Sequence, residues 1–169
     1  MKHRFVVVLL LVSHGAFSNA QDVSPVVSEG IIDASVETVW DAWTTGEGLR
    51  SWLAPHASMD LRIGGLMRTN YDPAGALGDA QTIENSILSF DPGRMLSIKV
   101  ARTPAGFPFE RAIEKMWTVI YFEPEGTERT RLKVISLGFD TDEESQRMRA
   151  FFEQGNAATI EQLKNGVGQ

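Results

Sequence analysis

The feature that most constrains this fold is a stretch with a two-residue apolar period, running from residue 57 to about 138. Such alternation is typical of strands that bury one face and leave the other in water. Leu96, Ile98 and Val100, for example, alternate with polar Ser97 and Lys99. Clusters of glycine, proline and aspartate interrupt the stretch and predict turns. The pattern therefore predicts six antiparallel strands, near residues 58–63, 66–71, 82–90, 94–101, 116–123 and 130–138.

A further strand and two short helices are predicted ahead of these six strands. Val26–Ile32 is rich in β-branched residues and indicates the strand. Ser35 is placed to cap the first helix, and Pro55 ends the second. Each helix has one apolar face at helical spacing. The apolar residues are Val36, Val39, Trp40 and Trp43 in the first helix and Leu49, Trp52 and Leu53 in the second.

A segment without proline follows the last strand and predicts a long C-terminal helix. It opens with Thr141-Asp142-Glu143-Glu144, which has the form of a capping box. At ~100° per residue its apolar residues fall on one face, and Asn156 falls within that face beside Gly155. The apolar residues of this face are Met148, Phe152, Ile160, Leu163 and Val167. The predicted fold class is α+β, with a curved antiparallel sheet of about six to seven strands wrapped around the helix.

The first twenty residues have the pattern of a secretory signal peptide. Three residues, Lys2, His3 and Arg4, precede an apolar run over 5–12, and small residues precede Gln21. The alternative is an uncleaved anchor, but eight residues rise only ~12 Å as a helix against a hydrocarbon core of ~30 Å. We therefore expect a signal peptide over 1–20, a single domain over 21–169, and an exported, periplasmic or secreted protein without stable membrane insertion.

Composition excludes several classes of site. Lys and Arg number 16 against 22 Asp and Glu, and this acidic balance argues against a nucleic-acid partner. The chain has no cysteine, which excludes disulfides and thiolate chemistry. His56 is the one histidine after residue 20, so a site with several histidine ligands is excluded as well. We expect neither a metal nor a cofactor.

The order of these elements and several short motifs resemble the AHSA-type branch of the SRPBCC (START-like) superfamily, over about residues 26–167. The motifs are structural and contain no catalytic signature. They are Ala34-Ser35, Val39-Trp40, Trp43-Thr44, Leu49, Trp52, Gly64-Gly65, Asp91-Pro92 with Arg94, Phe122-Glu123 and Gly126-Thr127. The resemblance implies the helix-grip fold, in which the sheet and the C-terminal helix enclose an apolar cavity.

The superfamily includes lipid carriers, cyclases and dehydratases, and stimulators of a chaperone ATPase, so the fold alone does not select a function. The favoured interpretation is an exported protein that binds a small apolar or amphipathic ligand in the cavity. The first alternative is a cyclase-, dehydratase- or hydrolase-like enzyme that uses a cavity carboxylate, from Glu84 or Glu110, or His56. A chaperone partner is the second alternative, and export disfavours it.

Six residues are candidates for ligand contact. Trp52 precedes a turn that could lie at the cavity mouth. An insertion at 102–115 carries Phe107 and Phe109 and is either a lid over the cavity or a loop that these rings pin to the surface. The small pair Gly155-Asn156 stands where relatives often have a large aromatic and predicts space between helix and sheet. The full set is Trp52, Phe107, Phe109, Phe152, Asn156 and Ile160.

The strand at 116–122 is apolar at both parities. Its second face is covered either by a second copy in a homodimer or by another element of the same chain.

Overall fold

The computed structural model describes residues 23–167, so the predicted signal peptide lies outside the described residues. A strand and two helices precede six strands, and a long helix follows them. The elements are β1 (Val26–Ile32), α1 (Val36–Thr44), α2 (Gly46–Trp52), β2 (His56–Met59), β3 (Leu66–Asn70), β4 (Ile83–Asp91), β5 (Met95–Arg102), β6 (Trp117–Pro124), β7 (Thr130–Leu137) and α3 (Glu143–Val167). The predicted order of elements is confirmed.

The seven strands form one antiparallel sheet in the order β1-β7-β6-β5-β4-β3-β2. Because β1 pairs with β7, the sheet brings the two ends of the domain together at one edge. Strand register places Ile120 opposite Val134 and Phe122 opposite Leu132, with all four side chains buried. The curved sheet and the helix packed on its inner face confirm the predicted helix-grip fold.

The α3 helix lies across the sheet with the predicted apolar face inward. Met148, Ile160 and Leu163 are almost completely buried. The helix passes so close to β1 that a Cβ on Gly30 would overlap Ile160. Since a glycine strand position permits this approach, one end of the helix is held tightly against the sheet.

Two local predictions differ from the structure. The strand predicted at 58–63 is shorter, because residues 60–65 form a turn in which Gly64 has a φ of +76° and Ile63 is 72% exposed. The N-cap of α3 is Asp142, whose Oδ1 accepts the backbone N–H of Ser145 at 3.2 Å. The capping box predicted from Thr141 is therefore wrong, and Glu144 is free to contact another segment.

The insertion at 102–115 is more ordered than a surface loop. It contains a short 3₁₀ helix, Ala112–Lys115, and its apolar residues pack under the first turns of α3. Phe109, Ile113 and Met116 are buried there against Met148. This second, smaller core fastens the insertion to the helix.

No helix within residues 23–167 is long and apolar enough to cross a membrane.

Candidate functional site

A cavity lies between the inner face of the sheet and the middle of α3. It consists of two adjoining chambers, of about 170 Å³ and 370 Å³. The smaller, which we term the inner chamber, is lined by Trp43, Leu53, Ile98, Ile120 and Val134 among others. The larger, the outer chamber, reaches the insertion and is lined by Thr103, Pro104, Phe107, Ile113, Phe151 and Gly155 among others. Both share Met67, Tyr71, Asn85, Val100, Phe152, Asn156 and Thr159.

The small residues in the middle of α3 explain why space remains there. Gly155 has no side chain, and a Cβ added to it would meet no atom within 4 Å. Asn156 follows it, partly buried in the wall of both chambers. The sequence-based expectation of space between helix and sheet at Gly155-Asn156 therefore matches the position of the cavity.

Asn156 is held in place by a hydrogen bond across the cavity wall. Its Nδ2 donates to Ser136 Oγ at 2.9 Å, and Ser136 is completely buried in β7. The bond ties the helix to the sheet beside the chambers. Within residues 23–167 the side-chain oxygen of Asn156, Oδ1, accepts no hydrogen bond, which leaves an acceptor at the cavity wall.

One buried polar group in the wall, the Trp43 indole, lacks a hydrogen-bond partner within the described part of the chain. Trp43 is 5% exposed, and its Nε1 is buried without any hydrogen-bond acceptor. Asn85 is 8% exposed on the inner face of β4, and its side-chain amide makes no hydrogen bond. Because a buried donor without an acceptor costs ~1–3 kcal/mol, such groups are typical of sites that bind something.

Tyr71 adds a third polar group at the boundary between the chambers. Burial of its hydroxyl raises the pKa of the phenol above its ordinary 10.0, although part of the ring surface faces solvent. A hydrogen bond with the Thr69 side chain opposes this rise without outweighing it, and the phenol keeps its proton.

The cavity walls contain no charged side chain within residues 23–167. Glu84 points away from the cavity and pairs with Arg68 at 2.9 Å, and Glu110 is exposed. His56 Nε2 lies 3.3 Å from the Pro73 carbonyl and is also outside the walls. The enzyme alternative based on these three groups is not supported by their positions.

No cluster of histidine, aspartate or glutamate in the described part of the chain is arranged to hold a metal ion.

The structure brings together three of the six residues proposed from sequence. Phe107 lines the outer chamber, while Phe152 and Asn156 line both. Trp52 and Ile160 lie instead in the main core. The Trp52 ring packs against Trp43, with centroids 5.0 Å apart and the planes tilted by 60°, and its Nε1 donates to the Ala42 carbonyl, so it does not form a cavity mouth.

Sequence reasoning missed Trp43, Tyr71 and Asn85 as wall residues. Asn85 had a usable signal, because it is a polar residue at the inward parity of β4, between Ile83 and Ile87. Trp43 had none, since its helical spacing is equally typical of core packing.

The insertion covers the outer chamber with one aromatic ring and is anchored by another. Phe107 is partly buried at the chamber wall, whereas Phe109 is 6% exposed beneath it, with ring centroids 5.5 Å apart. Glu144 fastens the insertion to α3 by accepting the backbone N–H groups of Arg111 and Ala112 at 3.0 and 3.1 Å. The two rings therefore differ in role, and Phe109 is part of the core.

Charged pairs add to this attachment. Lys115 Nζ lies 2.8 Å from Asp140 Oδ2. The hydrogen bond from Lys115 lowers the pKa of the Asp140 carboxyl and raises that of the lysine. Both groups are exposed, so the pair orients the insertion more than it stabilises the fold.

We expect Phe109→Ala to lower the free energy of unfolding by about 3 kcal/mol, because it empties a buried ring site. Phe107→Ala is expected to cost less than about 1 kcal/mol, as partly exposed positions usually do. Urea denaturation of both variants measures the difference. Equal losses would show that the two rings are equivalent anchors.

Comparison with known proteins decides the family. The family model described as "Activator of Hsp90 ATPase homolog 1-like protein" matches residues 33–168. The chain belongs to this family. The AHSA1-like family is part of the SRPBCC superfamily, which confirms the resemblance inferred from sequence. A comparison with curated protein sequences gives no match.

Solved structures of AHSA1-like and other proteins share the fold of this AHSA1-like chain at low sequence identity. The Aha1 dimer from Colwellia psychrerythraea is 16% identical, with a TM-score of 0.65 over 85% of this chain and 96% of that one. A protein from Bacillus halodurans is 16% identical, with a TM-score of 0.63 over 87% and 99%. An AHSA1-like protein from Aeromonas hydrophila is 15% identical, with a TM-score of 0.63 over 86% and 92%.

Proposed function

We propose that this AHSA1-like protein binds a small, uncharged and mostly apolar molecule in the cavity between sheet and α3. The observation that carries the proposal is the composition of the walls, which are apolar or neutral throughout the described residues. Ligand sites of this kind are concave, mostly apolar and furnished with a few polar groups. Burial of an ionised ligand without a counter-charge would cost several kcal/mol, so the neutral wall favours a neutral ligand.

The walls also argue for binding rather than for acid–base catalysis. General acid–base chemistry needs a titrating group within reach of the substrate. Tyr71 is the one ionisable side chain in the described walls, and its raised pKa keeps it protonated, so the walls offer no general base. The carrier function is therefore preferred to the enzyme alternative.

Filling the cavity from α3 tests the proposal. Gly155→Leu adds a side chain where a Cβ meets only open space in the outer chamber wall. The neutral fluorescent probe N-phenyl-1-naphthylamine is expected to bind the unaltered protein and to bind this variant at least about tenfold more weakly. Unfolding stability should rise by roughly 0.5–1 kcal/mol, because leucine replaces glycine within a helix.

Ala157→Leu is the matched control, since it adds the same side chain to the exposed face of the same helix. It should leave probe affinity unchanged. If Gly155→Leu binds the probe as well as Ala157→Leu does, the cavity is not the binding site.

We propose in addition that the protein is exported, with the ligand met outside the cytoplasm. The support is the sequence pattern of residues 1–20. Intact-mass measurement of protein purified from its own host should give a chain that begins at Gln21. A full-length chain recovered from the membrane fraction would contradict export and indicate that the apolar run is an anchor.

A homodimer is proposed through the outer face of β6. Trp117 and Tyr121 on that strand are large hydrophobic residues that are 36% and 38% exposed. The relative from Colwellia psychrerythraea is a dimer.

A further inference from the structure

The inner chamber contains an unused hydrogen-bond donor, and that donor defines the ligand more closely than apolar burial does. Trp43 is nine-tenths buried in the chamber wall, and its Nε1–H has no acceptor among the described residues. An indole N–H only donates, so its partner has to be an acceptor. The nearby Trp52 has the same group satisfied by the Ala42 carbonyl at 2.9 Å.

Asn85 adds a polar amide to the same chamber walls. It faces both chambers from β4, is 8% exposed, and its amide has no side-chain hydrogen bond. Asn156, by contrast, donates one side-chain N–H to Ser136 Oγ. A buried indole donor without an acceptor among the described residues is unusual, since buried polar atoms are normally paired.

The remainder of the site sets the other properties of the ligand. No cation lies in the described walls to balance a carboxylate or phosphate. The outer chamber offers aromatic and aliphatic contacts from Phe107, Phe151 and Ile113. A molecule that spans both chambers would therefore place an apolar end under the insertion and an oxygen deep beside Trp43.

We propose that the inner chamber recognises a neutral oxygen acceptor, of the ketone or ester carbonyl type, through the Trp43 indole N–H. The proposal rests on the proposed function and narrows its ligand class to apolar carbonyl compounds. Asn85 supplies a second N–H to the same region. Hydrocarbons would leave both donors unpaired, and acids would bury a charge without a partner.

The test compares three probes of nearly equal shape: 2-acetylnaphthalene, the hydrocarbon 2-isopropenylnaphthalene and the anion 2-naphthoate. The ketone should bind about tenfold more tightly than the hydrocarbon, which is the usual contribution of one buried hydrogen bond, and more tightly still than the anion. In ¹H–¹⁵N spectra the Trp43 indole N–H should move downfield with the ketone and not with the hydrocarbon.

Trp43→Phe should abolish the preference for the ketone, and Trp52→Phe is the matched control that should keep it. Because Trp43 also packs in the core, replacement by 3-benzothienylalanine, which exchanges the N–H for sulfur with the same ring shape, repeats the test without a change in volume. Retention of the preference in both Trp43 variants would overturn the proposal.

The outcomes separate this inference from the proposed function. Equal affinity for ketone and hydrocarbon would overturn the proposed carbonyl recognition but would agree with the proposed binding of apolar molecules in the cavity. If neither probe binds, the proposed function fails and the inference fails with it.

Discussion

Phe122→Ala is expected to lower the free energy of unfolding by about 4 kcal/mol, the range found for emptied aromatic core sites. Phe122 is 2% exposed at the centre of the sheet, on β6. Its ring meets Trp40 of α1 edge-to-face at 5.2 Å and its strand position pairs with Leu132. The ring therefore joins the helical end of the domain to the sheet, and alanine would leave a cavity between them. Urea denaturation monitored by circular dichroism measures the loss.

Tyr121 is the control for this prediction. It precedes Phe122 in the same strand but faces outward and is 38% exposed. At a concentration low enough for the protein to be monomeric, Tyr121→Ala should change the free energy of unfolding by less than about 1 kcal/mol. If both variants lose a comparable free energy of unfolding, the inner face of β6 contributes no more to stability than the outer face does.

Gly138→Ala is expected to destabilise the protein by about 3 kcal/mol. Gly138 follows β7 with a φ of +90°, a conformation that costs an L-residue ~1–2 kcal/mol. A Cβ there would also overlap the backbone carbonyl of Lys115, at the end of the 3₁₀ helix in the insertion. Because neither backbone segment can move aside at low energetic cost, the clash is expected to destabilise the fold by a further ~1–3 kcal/mol.

Substitution of Gly126 separates the cost of the positive φ from the cost of the clash. Gly126 has a similar φ of +79° in the turn between β6 and β7, but a Cβ there would meet nothing within 4 Å. Gly126→Ala should therefore show the conformational cost alone, about 1 kcal/mol. The thermal midpoints of the two variants measure the difference, and equal midpoints would exclude a clash at Gly138.

Gly138 also bears on the site, because its neighbour Lys115 belongs to the insertion that covers the outer chamber. A shift of the 3₁₀ helix away from residue 138 would move Ile113, which lines that chamber. The close approach of these two backbones therefore positions one wall of the cavity as well as the second core.

The strands and α3 were predictable because their patterns are local. The apolar residues alternate in β5 and in β7 and recur at helical spacing from Met148 to Leu163. Each pattern requires only that one face of the element is buried, and it does not depend on which element covers that face. The error at 58–63 has the same origin. Leu61 and Ile63 continue the alternation, but the chain turns there, with the Arg62 N–H donating to the Asp60 carbonyl and the Gly65 N–H to the Arg62 carbonyl.

The candidate site was only partly predictable. The Gly155-Asn156 pair indicated space because it is small where proteins of the resembled family often have a large aromatic residue. Phe109 could not be distinguished from Phe107 by sequence, since both are aromatic residues of one loop. Their different burial depends on Met148 and α3, which come some forty residues later in the chain.

The sequence by itself determined the order of strands and helices and the α+β class, because periodicity and turn residues act within short segments. Its resemblance to the AHSA-type branch added the helix-grip architecture and the position of a gap along α3. Only the tertiary structure decided which polar groups face that gap. Trp43 and Trp52 have the same side chain on neighbouring helices. The Trp52 indole N–H donates to the Ala42 carbonyl, whereas the Trp43 indole N–H has no acceptor among the described residues. A hydrogen bond depends on distances and angles between segments remote in sequence, and no local pattern contains them.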